Sequence, residues 1–216
     1  LLSFVGIYFM LSGLFLLDSA TGDITQFYKK RVKVIVIPFF FFSVLYYLFY
    51  VSRSQEVLSW WEYPVEFLRD FFSGTVPMAD HMWFMYVIIA LYLCTPFLAR
   101  MMKAMNDKEL RYFILLILGV QTLTNYAGGF GIGLDQILDY MVFKGWLIYY
   151  VLGYALKRLF KREEFKWFAL AGSVGLALTL LQKMFTPGFV RGIHDVAPSM
   201  IALTGALFLL FERYRN

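Results

Sequence analysis

The chain has 216 residues, of which 60% are apolar, 20% aromatic and 16% charged. An ordinary soluble domain is about 45–50% apolar and about 25% charged, so this composition excludes a disordered chain, a nucleic-acid-binding domain and a secreted disulfide scaffold. The single cysteine allows no intrachain disulfide. The formal charge is +5, but in a membrane protein the positions of the basic residues say more about structure than the net charge does.

Long apolar runs recur along the chain, each close to the roughly 20 residues that a membrane-crossing helix needs. We find no internal repeat, linker or low-complexity tract between them. The sequence therefore predicts an all-α fold, a polytopic transmembrane helical bundle that forms a single membrane-embedded domain over 1–216. The seven predicted spans are 1–17, 34–51, 82–99, 112–130, 140–156, 167–185 and 196–211.

The basic residues alternate between successive connections. Fifteen of the 20 Lys and Arg residues lie in 18–33, 100–111, 157–166 and the C-terminus. Because cytoplasmic loops collect Lys and Arg, these connections are predicted on the inner side of a cell (plasma or inner) membrane. The outer connections are then 52–81, 131–139 and 186–195.

The connection 52–81 is the longest, and it is aromatic and mildly acidic, with a Trp60-Trp61 pair. Such a segment is typical of a helix lying along the membrane interface. A lid over a site on the outer face is the alternative.

Two groups of residues are candidates for chemistry. Lys30, Arg31 and Lys33 at an inner boundary form either a topology signal or a site for the phosphates of a cofactor, with Arg31 giving bidentate contacts and the lysines point charges. His81, beside Asp80 at an outer helix mouth, is either an acid or base near neutral pH or a structural interfacial histidine. Two histidines and one cysteine far apart give no metal-ligand spacing, so no metal is predicted.

Four segments carry a family resemblance. His81-Met-Trp-Phe-Met-Tyr86, continuing to Leu91-Tyr-Leu-Cys-Thr-Pro96, is similar to the His-Leu-Trp-Phe-Leu-Tyr helix of the acyltransferase 3 family, which includes surface-polysaccharide O-acetyltransferases. The other segments resemble the family's basic run leading into Ile-Pro, the end of its second helix and its Tyr-Phe-x-Leu-Gly-Tyr helix. They are Tyr28-Lys-Lys-Arg-Val-Lys-Val-Ile-Val-Ile-Pro38, Phe9-Met-Leu-Ser-Gly13 and Tyr149-Tyr-Val-Leu-Gly-Tyr154.

The resemblance implies an integral membrane enzyme of about ten helices that moves an acyl group, commonly acetyl, from cytoplasmic acyl-CoA to a hydroxyl of a cell-surface glycan or similar acceptor. Lys30, Arg31 and Lys33 would hold the acyl-CoA (acetyl-CoA) phosphates. His81 would act on the acceptor side, with Trp83 and Tyr86 binding the acceptor.

The resemblance also implies that the family's principal catalytic histidine lies in a first helix before Leu1 and that further helices follow Asn216. The chain is therefore expected to be a fragment with about seven of ten helices, inactive by itself. A polytopic transporter or exporter of a glycan or lipid-linked substrate would show the same hydropathy and charge alternation. The pairing of the inner basic run with the His-x-Trp-Phe helix favours the enzyme.

Overall fold

A computed structural model describes residues 3–20, 22–54, 58–126, 145–160, 165–185 and 196–215. Helix is the only regular secondary structure within those residues, and the predicted all-α fold is confirmed. A π-helical turn, Val32–Val36, and a 3₁₀ turn, Asp80–Met82, accompany the α-helices. These are α1 (Ser3–Ser19), α2 (Ile24–Arg31), α3 (Ile37–Arg53), α4 (Glu62–Ser73), α5 (Trp83–Ala104), α6 (Asp107–Tyr126), α7 (Leu147–Leu159), α8 (Phe165–Phe185) and α9 (Pro198–Arg215).

Helix covers most of the described residues of each predicted span. Among the described residues, two helices are long and apolar enough to cross a membrane, Ile24–Arg53 and Asp80–Ala104. Shorter apolar stretches occupy parts of α1, α8 and α9. The predicted outer connections 131–139 and 186–195, and the start of the span 140–156, lie outside the described residues. The count of seven spans stays a prediction.

The helices pack within two compact units. We call Ala20–Phe97 the central unit, and Leu1–Ser19 together with Leu98–Asn216 the flanking unit. The single domain over 1–216 stays a prediction.

In the central unit, local sequence signals set the course of the first long helix. Asp23 caps α2 by accepting a hydrogen bond from the Thr25 main-chain N–H at 2.8 Å. The π turn then lies directly before Pro38, which cannot donate a main-chain hydrogen bond and crowds the preceding turn. Helix α3 continues in the same direction, so α2, the π turn and α3 form one continuous helix.

Helix α5 runs antiparallel to this continuous helix, as three contacts in register show. The His81 ring lies 5.2 Å from the Tyr46 ring, and the Tyr86 ring lies 4.9 Å from the Phe39 ring. Further along, the Tyr28 hydroxyl donates to the Leu93 carbonyl at 2.7 Å. We call the 3₁₀ turn Asp80–Met82 and α5 together the motif helix. Residue numbers fall along the continuous helix as they rise along the motif helix, so the beginning of the motif helix, with His81, lies far from the basic run.

In the flanking unit, α1 and α7 pack backbone to backbone. A Cβ on Gly13 would overlap the Tyr150 carbonyl, and a Cβ on Gly153 would overlap the Met10 carbonyl. Such glycines let two helices approach closely, and α7 is buried from Ile148 to Leu156. Two of the four resemblance segments therefore meet each other as a helix-packing interface.

Ion pairs in the flanking unit join three of the connections that were predicted on the inner side. Arg158 bonds to Asp107 at 3.0 Å and donates to two carbonyls, that of Met102 in the last turn of α5 and that of Met105 just after it. Lys157 lies 3.4 Å from the Asp18 carboxylate. These parts of 18–33, 100–111 and 157–166 consequently lie at one end of their helices, as the charge alternation requires.

Candidate functional site

The basic run presents its charges on different sides of the helix. Lys33 lines an open groove, Arg31 lines a separate small cavity against α5, and Lys30 is exposed and lines neither. The structure therefore does not bring together the three residues predicted as one phosphate site. Lys29, which the prediction omitted, shares the groove with Lys33.

The groove has a volume of about 610 Å³. Lys29 and Lys33 are four residues apart, so their ammonium groups reach the same side of the helix. Thr25 and Tyr28 add hydroxyl groups, and apolar side chains form the rest of the lining, Val32 and Ile37. Two ammonium groups beside an apolar surface suit a ligand with phosphates at one end and a less polar remainder.

Arg31 faces the opposite side and packs between two rings. Its guanidinium carbon lies 5.0 Å from the centre of the Phe27 ring and 5.3 Å from that of Tyr92. The Nε atom is buried and has no hydrogen-bond partner among the described residues. Together with the hydrogen bond from Tyr28 to Leu93, this cation–π stack fastens the basic helix to α5.

His81 lies at the beginning of the motif helix and is exposed. Its Nε2 atom is 3.3 Å from the Tyr46 hydroxyl, and the two rings meet edge to face. This hydrogen bond orients the imidazole and leaves its other nitrogen for another partner. Tyr46 was not predicted, because a tyrosine in an apolar run carries no mark that distinguishes it from its aromatic neighbours.

Trp83 and Tyr86, the other predicted acceptor-side residues, differ in their surroundings. The Trp83 side chain is exposed, at 39% of its full accessible area. The Tyr86 hydroxyl donates to the Phe71 carbonyl at 2.6 Å, and its ring packs against Phe39. Tyr86 thus fastens α4 to α5, and it presents less accessible surface to a ligand than Trp83 does.

A second polar cluster lies beside the His81 region and was also missed in the sequence. The Tyr47 hydroxyl donates to Glu66 at 3.0 Å, and Arg69 lies within 3.4 Å of both Glu66 and Asp70. Glu66, Arg69 and Asp70 come from α4, which lies in the connection that the sequence predicted only as an interfacial helix or a lid. Their partner on α3, Tyr47, could not be identified without the fold.

Comparison with known proteins gives one match. A family model described as an acyltransferase domain matches residues 3–212, nearly the whole chain. No curated protein matches. No solved structure matches either.

Proposed function

The chain belongs to the acyltransferase 3 family of membrane proteins, and from this membership we propose that it transfers acetyl from cytoplasmic acetyl-CoA to a hydroxyl of a cell-surface glycan or related acceptor. Acyltransferase activity follows from the family match, and it decides against the transporter. The donor, the acceptor, the plasma-membrane location and the cytoplasmic C-terminus are the proposed parts.

The observation that carries the donor assignment is the groove beside Lys29 and Lys33. Both lysines lie near the beginning of the helix Ile24–Arg53, which is long enough to cross a membrane. Phosphates bound to them would therefore stay at the aqueous boundary. The apolar lining next to the lysines would receive the pantetheine arm. Arg31 acts as a positioning residue, since its stack against Tyr92 fixes the direction in which the basic helix presents the lysines.

The reaction transfers the acetyl group from sulfur to oxygen. A base removes the proton of the acceptor hydroxyl, and the oxygen attacks the thioester carbonyl carbon. The tetrahedral oxyanion then collapses, the carbon–sulfur bond breaks, and the coenzyme A thiolate leaves and takes up a proton. Hydrogen-bond donors that face the oxyanion would lower the barrier.

His81 and Tyr46 form the proposed acceptor side. Tyr46 follows Lys33 by thirteen residues in one continuous helix, which is about 20 Å at 1.5 Å per residue. This separation puts His81 far from phosphates held by Lys33, so we assign it to the acceptor rather than to attack at the thioester. Trp83, which is exposed and lies two residues after His81, offers an aromatic face on which a sugar ring can stack.

The donor site is tested in the full-length protein with the single variants Lys29→Gln and Lys33→Gln, their double variant, and a control elsewhere in the basic run that matches the single variants in charge. The double variant K29Q/K33Q removes both ammonium groups from the groove. We expect it to weaken acetyl-CoA binding by at least about tenfold, because one lost charge-assisted hydrogen bond costs about 1.5–3 kcal/mol and about 1.4 kcal/mol is tenfold.

Lys30→Gln is the control, since Lys30 belongs to the same basic run but lies outside the groove. It should change affinity by less than about threefold, the size of a screened long-range charge effect. Equal losses in Lys30→Gln and in either single groove variant would refute the groove. Pantetheine, which lacks the phosphates, should bind the wild type and the double variant equally.

A further inference from the structure

Helix α4 runs back along α3 towards its beginning. The Phe67 ring lies 5.3 Å from the Tyr47 ring, and the Phe71 ring lies 5.3 Å from the Phe39 ring. Phe39 precedes the end of α3 at Arg53 by fourteen residues, which is about 20 Å along the helix axis. The connection between the two membrane-capable helices therefore descends deep beside α3 before it returns to α5.

Three kinds of side chain occupy separate sides of α4. Tyr63, Phe67 and Phe71 pack in the aromatic cluster formed with α3. The charged residues lie along a second side. A third side carries exposed apolar residues at helical spacing. Their exposed fractions are Trp61 54%, Val65 60%, Leu68 44% and Phe72 81%.

Several polar groups of this segment have hydrogen-bond or ion-pair partners within the segment. Backbone groups in hydrocarbon need partners, and after α4 the N–H groups of Gly74, Thr75 and Ala79 all donate to nearby carbonyls. Among the side chains, Arg69 lies between the carboxylates of Glu66 and Asp70. Charge pairing of this kind lowers the cost of placing ionised groups at depth.

We infer that α4 is a re-entrant helix whose third side, formed by Trp61, Val65, Leu68 and Phe72, lies against the lipid acyl chains of the leaflet at the Arg53 end. The apolar side is continuous along the descending helix, and both neighbouring helices are membrane-capable. Acyl chains are the occupant that matches an apolar surface at this depth. The charged side faces water that reaches along the same segment to its deep end. This inference does not depend on the proposed function.

The test is a depth profile by site-directed spin labelling of the full-length protein in phosphatidylcholine–phosphatidylglycerol liposomes. Single cysteines replace Val65, Leu68 or Phe72 in a Cys94→Ala background, and collisions of each label with oxygen and with a water-soluble nickel chelate are measured. We expect all three labels to favour oxygen, and depth to increase from position 65 to position 72 by up to about 10 Å, since seven residues rise by that amount.

Ser73→Cys is the matched control at the deep end of the charged side, where Ser73 is exposed. Its label should favour the nickel chelate over oxygen relative to its neighbour at position 72. Equal depth at 65 and 72 would show an in-plane interfacial helix and would overturn the inference. Low collision rates with both reagents would show a protein partner on this side, and high nickel access at all three positions would show an aqueous lid; either result also overturns it.

Discussion

The contact between α1 and α7 makes the sharpest prediction about packing. Replacing Gly13 with Ala introduces a methyl group where the Tyr150 carbonyl already lies, and replacing Gly153 does the same at the Met10 carbonyl. Backbone cannot rotate aside as a flexible side chain can, so the helices must separate. Overpacking of this kind costs about 1–3 kcal/mol.

We expect each single variant to lower the unfolding midpoint by several degrees, since about 1 kcal/mol shifts the midpoint of a 150–250-residue chain by about 2–4 °C. Both methyl groups push the same two helices apart. The double variant should therefore lose less than the sum of the two single losses. Thermal unfolding in detergent, followed by tryptophan fluorescence, measures all three.

Gly119→Ala provides the control. Gly119 lies inside α6, and a Cβ there would meet no atom within 4 Å. Alanine favours helix over glycine by about 1 kcal/mol, so this variant should be as stable as the wild type or more so. Unchanged midpoints in Gly13→Ala and Gly153→Ala would refute the close backbone contact.

Two further side chains give predictions measured by the same unfolding assay. The Thr204 hydroxyl is buried and has no hydrogen-bond partner in the described part of the chain, so Thr204→Val should leave stability unchanged or raise it by up to about 1 kcal/mol. Thr95→Val loses the bond to the Leu91 carbonyl and should lower stability by about 1 kcal/mol. A clear loss in Thr204→Val would contradict the unpaired state of that hydroxyl. Tyr47→Phe removes the donor to Glu66 and should cost about 1.5 kcal/mol, because hydrogen bonds to charged groups are stronger than neutral ones. Tyr50→Phe, one turn away, should cost less, and equal losses would count against the Tyr47–Glu66 bond.

The sequence predicted the helices well because their signal is local. Apolar run length identified the helices of the predicted spans, although not α2 or α4. The charge alternation placed 18–33, 100–111 and 157–166 on one side of the membrane, and ion pairs of Lys157 with Asp18 and of Arg158 with Asp107 join parts of these connections. The resemblance segments also identified the family. Neither signal depends on how distant helices pack.

The arrangement of the site was harder to predict, because it depends on rotation about helix axes and on partners far along the chain. The π turn before Pro38 shifts the angular positions of the residues around it, and Arg31 turns towards Tyr92 while Lys29 and Lys33 face the groove. Tyr46 gains significance only through His81, which is 35 residues away. Likewise, nothing in the sequence of the 52–81 connection predicted that α4 runs back along α3 towards the beginning of α3.

The central claim is acetyl transfer from a cytoplasmic donor, and vesicle sidedness tests it most directly. Sealed inverted and right-side-out membrane vesicles from cells expressing the full-length protein are supplied with labelled acetyl-CoA, and label in the glycan fraction is measured. We predict incorporation in inverted vesicles, a marked reduction there with K29Q/K33Q, and none in right-side-out vesicles until they are made permeable. Equal incorporation in both sealed preparations, or none in either after permeabilisation, would contradict the claim.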